Sequence, residues 1–158
     1  MPVVEKEKIL LVYGSRSGHT QELAAAVADG VRAVVPAGLE VRRVGETTVA
    51  ELSSCGALLL GSPTYFRDMM ASMKQFFFMA EQAKLAGKPA AAFATYGWSG
   101  ECLPMMVATM EHILGLRMFG GTLAVKGKPS VNDLERGRAF GRAFAEFVLS
   151  CQNSGKDV

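Results

Sequence analysis

Short apolar runs alternate with stretches of helical period along this chain, and few folds satisfy that order. Runs that are apolar throughout must be covered on both faces, which points to a parallel sheet joined by crossover helices. Ile9–Tyr13 is such a run and reads as a central strand. Leu23, Ala24, Val27, Val31 and Val34 then recur at helical spacing until Pro36-Ala37-Gly38 breaks the helix. Leu39 and Val41 alternate with Glu40 and Arg42, as in an outer strand with one wetter face. A short helix around Thr48–Leu52 leads into a second buried strand, Ala57–Leu60. Met69, Met73, Phe76, Phe77 and Ala80 mark one face of a third helix, and Gly87-Lys88-Pro89 turns into the small-residue strand Ala90–Thr95. Ser99 is the expected N-cap, with Glu101 in the first turn, of a helix running to about Leu114 and stopping at Gly115. Met118–Val125 is the fifth strand. Leu134, Gly141, Phe144 and Val148 define the last helix, before a polar tail.

The predicted architecture is α/β with three layers: a five-stranded parallel sheet of order 2-1-3-4-5 and helices on both faces. One domain spans residues 1–158, with a leader over 1–7 and a tail over 152–158 expected to be flexible. Sheets of this order hold ligands beyond the carboxyl ends of the strands, at the switch point. The loops after the first, third and fourth strands are therefore the ones to inspect.

Composition removes several classes. The 158 residues are 49% apolar and 20% charged, an ordinary globular balance. The leader is too charged for a secretory signal, and no apolar run nears the roughly 20 residues of a membrane span. Cys55, Cys102 and Cys151 make no paired motif, and His19 and His112 fall at no metal-ligand spacing from them. No metal site is expected, and a reducing cytoplasmic compartment is. The net charge of +2 is scattered, without the basic stripe of a nucleic-acid binder.

Gly14–Thr20 joins a buried strand directly to a helix, so its amides and the helix dipole form a phosphate site. Ser15, Ser17 and Thr20 add hydroxyl donors, and Gly18 lets the chain approach a ligand closely. Arg16 either helps neutralise the phosphate or faces solvent, and His19 serves through its backbone. Neither a Walker loop nor a GxGxxG fingerprint is present. In the loop after the third strand, Tyr65 and Phe66 offer a wall for a flat ring. Pro63, Thr64 and Arg67 flank them, with amides to reach the ring's polar edge. After the fourth strand, Thr95-Tyr96-Gly97-Trp98-Ser99-Gly100 frames the only tryptophan between glycines, and Trp98 or Tyr96 is expected to pack on that ring.

Ser15-Arg16-Ser17-Gly18-His19-Thr20 matches the flavodoxin signature Ser/Thr-x-Ser/Thr-Gly-x-Thr at every defined position. Ala92 to about Gly121, with Tyr96-Gly97-Trp98-Ser99-Gly100-Glu101, resembles the flavodoxin module of flavodiiron (A-type) flavoproteins. Gly61-Ser62-Pro63-Thr64-Tyr65 is similar both to that module and to NAD(P)H:quinone reductases of the flavodoxin-like superfamily. The resemblance implies a flavodoxin-like fold that holds FMN, its phosphate on the first loop and its ring between the other two. Flavodiiron modules carry asparagines where this chain has Phe66-Arg67. The quinone reductases place a glycine near Arg67 and have a glycine-rich third loop. The residues of a diiron domain are missing, so reduction of oxygen or nitric oxide is not implied.

No side chain in the loops is an obvious catalytic acid, base or nucleophile, which suits a redox cofactor. Three roles follow. One is an electron carrier exchanging electrons with a redox partner protein. Another is an NAD(P)H-dependent reductase of a quinone or other small acceptor, toward which the basic charge and Arg16 and Arg67 lean, since carrier flavodoxins are acidic. The third is a flavin-binding regulatory subunit without turnover, with the Met69–Met79 helix as a partner or homo-oligomer face; otherwise that helix is core. Cys102, in the first turn of a helix, is either a reactive thiolate or a buried inert thiol.

Overall fold

The computed structural model describes residues 5–65 and 67–156, with side chains from 8 to 153 apart from residue 66. β1 (Glu5–Tyr13) runs between β2 (Leu39–Arg43) and β3 (Cys55–Tyr65), and β5 (Pro89–Tyr96) follows β3. The outer position is shared by β6 (Arg117–Met118) and β7 (Leu123–Lys126), both paired parallel to β5. The five predicted strands thus take the order 2-1-3-4-5, all parallel, with the fifth in two pieces.

Each apolar run serves two cores because successive side chains leave the strand on opposite faces. Leu10, Val12, Leu58, Leu60, Ala90 and Ala92 face α2 (Val49–Ser54), α3 (Ala71–Ala80) and α4 (Cys102–Ala108). Ile9, Leu11, Leu59, Phe93 and Val125 face α1 (His19–Val34) and α5 (Val131–Lys156). The small residues of β5 leave room for Met106 and Met110 of α4 and its continuation. Phe93 is the large exception, and its ring occupies the place a Cβ on Gly61 would need, 2.3 Å away.

α1 and α5 cross with their backbones nearly touching. A Cβ on Gly30 would stand 2.0 Å from the Arg138 carbonyl oxygen, and one on Gly141 2.0 Å from that of Val27. The break between β6 and β7 also has a packing cause. Phe119 leaves the strand edge for a cluster with Phe140, Phe144 and Phe147, at centroid distances of 5.4–6.1 Å.

Several predicted boundaries move. α5 continues to Lys156 instead of giving way to a polar tail. Met69 belongs to a two-residue strand, β4 (Asp68–Met69), so α3 begins only at Ala71. Met73, Phe76, Phe77 and Ala80 of α3 are buried, so the apolar face of that helix is core and Phe78 alone of its large apolar side chains stands out. Ser99 caps nothing: α4 starts at Cys102 without a side-chain cap. That helix ends, as expected, at Gly115 (φ +69°), after a π-helical turn over Thr109–Ile113.

Candidate functional site

β1, β3 and β5 deliver the three candidate loops to one edge of the sheet, and Gly14 N–H donates to the Gly61 carbonyl (3.0 Å) where the first two diverge. In the first loop, Gly18 takes the left-handed conformation (φ +92°), which an L side chain adopts only at a cost. This bends the chain so that Gly18 N–H meets the Ser15 hydroxyl at 3.1 Å. Gly18 precedes α1 without a side-chain cap, leaving the amides of the first turn free of side-chain acceptors. His19 opens the helix half-buried, and Arg16 and Ser17 are exposed. The Arg16 guanidinium lies 6.0 Å from the centre of the Tyr65 ring, so the first loop reaches the second.

Thr20 turns inward. It is 1% exposed, and its hydroxyl sits 2.8 Å from that of Thr95 at the end of β5. A hydroxyl has one hydrogen to give. If Thr95 donates, Thr20 keeps its own hydrogen for an anion.

The second loop is a hairpin, not the irregular turn expected. β3 continues through Pro63, Thr64 and Tyr65, and β4 pairs back on it antiparallel, with Tyr65 opposite Asp68. Arg67 lies in the connection between the two strands. Phe66 lies outside the described residues. Arg67 is exposed and the only described non-glycine residue with positive φ, at +65°. A glycine would sit there without strain, which is what the quinone-reductase pattern carries.

Ser62, Asp68, Met70 and Lys74, which the sequence reading did not assign, hold this hairpin together with Thr64 and Cys102, which it singled out. The buried Ser62 hydroxyl donates to the Pro63 carbonyl (2.9 Å) and accepts from Met70 N–H (3.1 Å). The Thr64 hydroxyl donates to the Cys102 sulfur (2.9 Å), whose thiol reaches the Ser62 carbonyl at 3.7 Å. Cys102 is fully buried, and desolvation pushes its thiol above the ordinary range despite the helix start. Lys74 pairs with Asp68 and holds its carboxyl below the usual range. For Ser62 the sequence signal was a serine beside a proline.

In the third loop Thr95 is buried, Tyr96, Ser99 and Gly100 are half-buried, and Gly97 is exposed. Trp98 is 90% exposed. The Ser99 hydroxyl, with a smaller contribution from Arg67, draws the Glu101 carboxyl below its usual range. A cavity of about 330 Å³ adjoins the first loop on the β2 side, lined by Tyr13, Gly14, Ser15, Arg43, Val44 and Met70 among others.

The site therefore offers an uncapped helix start with hydroxyls at one end and Tyr65, Tyr96 and Trp98 at the other. Those groups fit a phosphate joined to a flat aromatic ring. A parallel sheet of this order with such loops at its switch point defines a flavodoxin-like flavoprotein domain.

The flavodoxin domain family matches residues 10–101. Type A flavoprotein fprA of Rhodobacter capsulatus is 36% identical over 90% of this chain, which spans 34% of that relative's length. An NAD(P)H dehydrogenase (quinone) of Geobacter sulfurreducens is 29% identical over 84% of the chain and 81% of its own. A solved flavodoxin from the domain Archaea superposes with a TM-score of 0.84 at 30% identity, covering 89% of this chain and 98% of that one. The chain belongs to the flavodoxin domain family, as an FMN electron-transfer domain. Among the described residues no helix is long and apolar enough to cross a membrane.

Proposed function

We propose that the chain, as one domain over residues 1–158, holds FMN in these three loops and passes electrons to a protein partner in the cytoplasm. The observation that carries this reading is the pair of internal bonds, Thr20 to Thr95 and Thr64 to Cys102, which tie all three loops into one cradle. The first-turn amides of α1 and the hydroxyls of Ser15, Ser17 and Thr20 donate to the phosphate, Arg16 adds charge, and His19 contributes its backbone. Gly18 brings the chain close. Pro63, Thr64, Tyr65, Phe66 and Arg67 form one wall of the ring site, and Thr95, Tyr96, Gly97, Trp98, Ser99 and Gly100 the other. FMN, when bound, supplies the redox chemistry, while these walls exclude water and bound access to it.

The test is direct. The purified protein carries FMN or binds it when added, and replacing Ser17 or Thr20 by alanine weakens binding about tenfold for each charge-assisted bond lost. A protein that takes up no FMN, or variants with unchanged affinity, would overturn the assignment. A second reading, NAD(P)H-dependent reduction of a quinone, is favoured by Arg16 and Arg67, two exposed cations beside the site with no carboxylate at ion-pair distance among the described residues. Anaerobic mixing separates the two. Rapid bleaching of the visible flavin band by NADPH selects the reductase, and bleaching by dithionite alone selects the carrier.

A further inference from the structure

At the amino end of β5, away from the cofactor loops, two large apolar side chains stand in water. Phe78 of α3 is 73% exposed and Ile113 62%. Phe78 lies on the exposed face of α3, one turn ahead of Glu81. The π-helical turn over Thr109–Ile113 leaves Glu111, His112 and Ile113 exposed in succession. Between the end of α3 and that turn lies a groove of about 640 Å³. The buried Leu85 and Leu114 line its depth, and Ile113, Glu81 and Lys84 its surface. Its two walls are bonded to each other: Gly87 N–H donates to the Gly115 carbonyl and Arg117 N–H to the Lys88 carbonyl, both at 2.8 Å. Glu81 and Lys84 are exposed, and neither lies at ion-pair distance from an opposite charge among the described residues. β5, eight residues long, puts about 25 Å between this groove and the third cofactor loop.

We propose that this groove is the contact between two copies of this chain, related by a twofold axis. Such an axis brings the same patch of both copies together, so the patch must complement itself. This one offers an apolar ring beside an apolar groove, and one charge of each sign. Phe78 of each copy enters the other's groove. Glu81 then faces Lys84 of the partner subunit, and Lys84 faces the partner subunit's Glu81. A partner carrying a single sign of charge would match one of these residues and oppose the other. An aromatic anchor in a groove, with charges at the rim, is the anatomy of a protein interface. Because its walls are already bonded together, the groove needs little ordering to be filled. The cofactor loops stay clear of the contact, so the inference stands apart from the cofactor reading.

Sedimentation equilibrium of the full chain is the test. The weight-average mass should rise from one chain toward two as concentration is raised to about 1 mM. Phe78→Glu should weaken association by about tenfold or more. Glu81→Lys sets like charges against each other at both contacts, and so does Lys84→Glu. Each variant alone should associate about tenfold more weakly than the wild type. Mixed in equal amounts, the two should form a heterodimer as tight as the wild-type dimer, because each presents the sign the other lacks. All three side chains are exposed, so the variants should unfold close to the wild-type urea midpoint. The mass of one chain at every concentration would overturn the proposal. So would an association that Phe78→Glu leaves intact, a mixture no tighter than the single variants, or growth beyond two chains.

Discussion

Cys102 shows two opposing effects at one residue. Its place in the first turn of α4 predicts a lowered pKa, since the dipole favours a thiolate there. Burial opposes this and prevails, because the sulfur is fully desolvated. The thiol also uses its hydrogen toward the Ser62 carbonyl and its lone pairs toward Thr64, an arrangement a thiolate could not keep. Native protein treated with a disulfide reagent at about pH 8 should therefore label Cys151, which is half-buried, and spare Cys55 and Cys102 until denaturant is added. Labelling of Cys102 ahead of Cys151 would show an activated thiol instead. That a helix starts near this residue could be read locally, though not its boundary; which way the sulfur points depends on a hairpin nearly forty positions earlier.

The hairpin of β3 and β4 is where local sequence misleads most. Gly61-Ser62-Pro63 has the composition of a turn, and ending the strand at Leu60 follows from that. The strand continues because Gly61 leaves room for the Phe93 ring, Pro63 sits at the last rung against Thr95, and Ser62 supplies the acceptor for Met70 N–H. Two of those partners, Phe93 and Thr95, are distant in sequence. The Gly14–Thr20 loop was legible for the opposite reason, since its glycine, hydroxyls and helix start are all local. Acid should test the hairpin. The Asp68 pKa is lowered by Lys74, so the pair's stabilisation is present above the unfolded aspartate value of about 3.9 and is lost as pH falls through the lower folded value. Exposure limits it to about 0–1 kcal/mol. Replacing Asp68 by asparagine should weaken FMN retention slightly at neutral pH and flatten its loss below about pH 4. Superimposable acid profiles for the two proteins would refute the link.

For the molecule as a whole, the alternation of runs and helical periods sufficed to predict the sheet order, because strands covered on both faces leave no polar face to mistake. It could not predict how tightly the two helices on one face approach. Gly141→Ala improves helix propensity by about 1 kcal/mol, yet its Cβ must push α5 off the Val27 carbonyl, at a cost of about 1–3 kcal/mol. The expected result is a lower urea midpoint with an unchanged slope, and an unaltered flavin spectrum in the folded fraction. A raised midpoint would mean that the helices separate freely.

That crossing also sets an order of events during synthesis. Every candidate loop has left the ribosome once residue 101 is out, but the glycines of α5 that seat against α1 come some forty residues later. The helix whose first turn offers itself to the phosphate is thus the last to gain its outer neighbour. A nascent chain paused between those points carries a nearly complete cofactor cradle on an unclasped support, and FMN met at that stage would act as a folding template before it acts as a redox group.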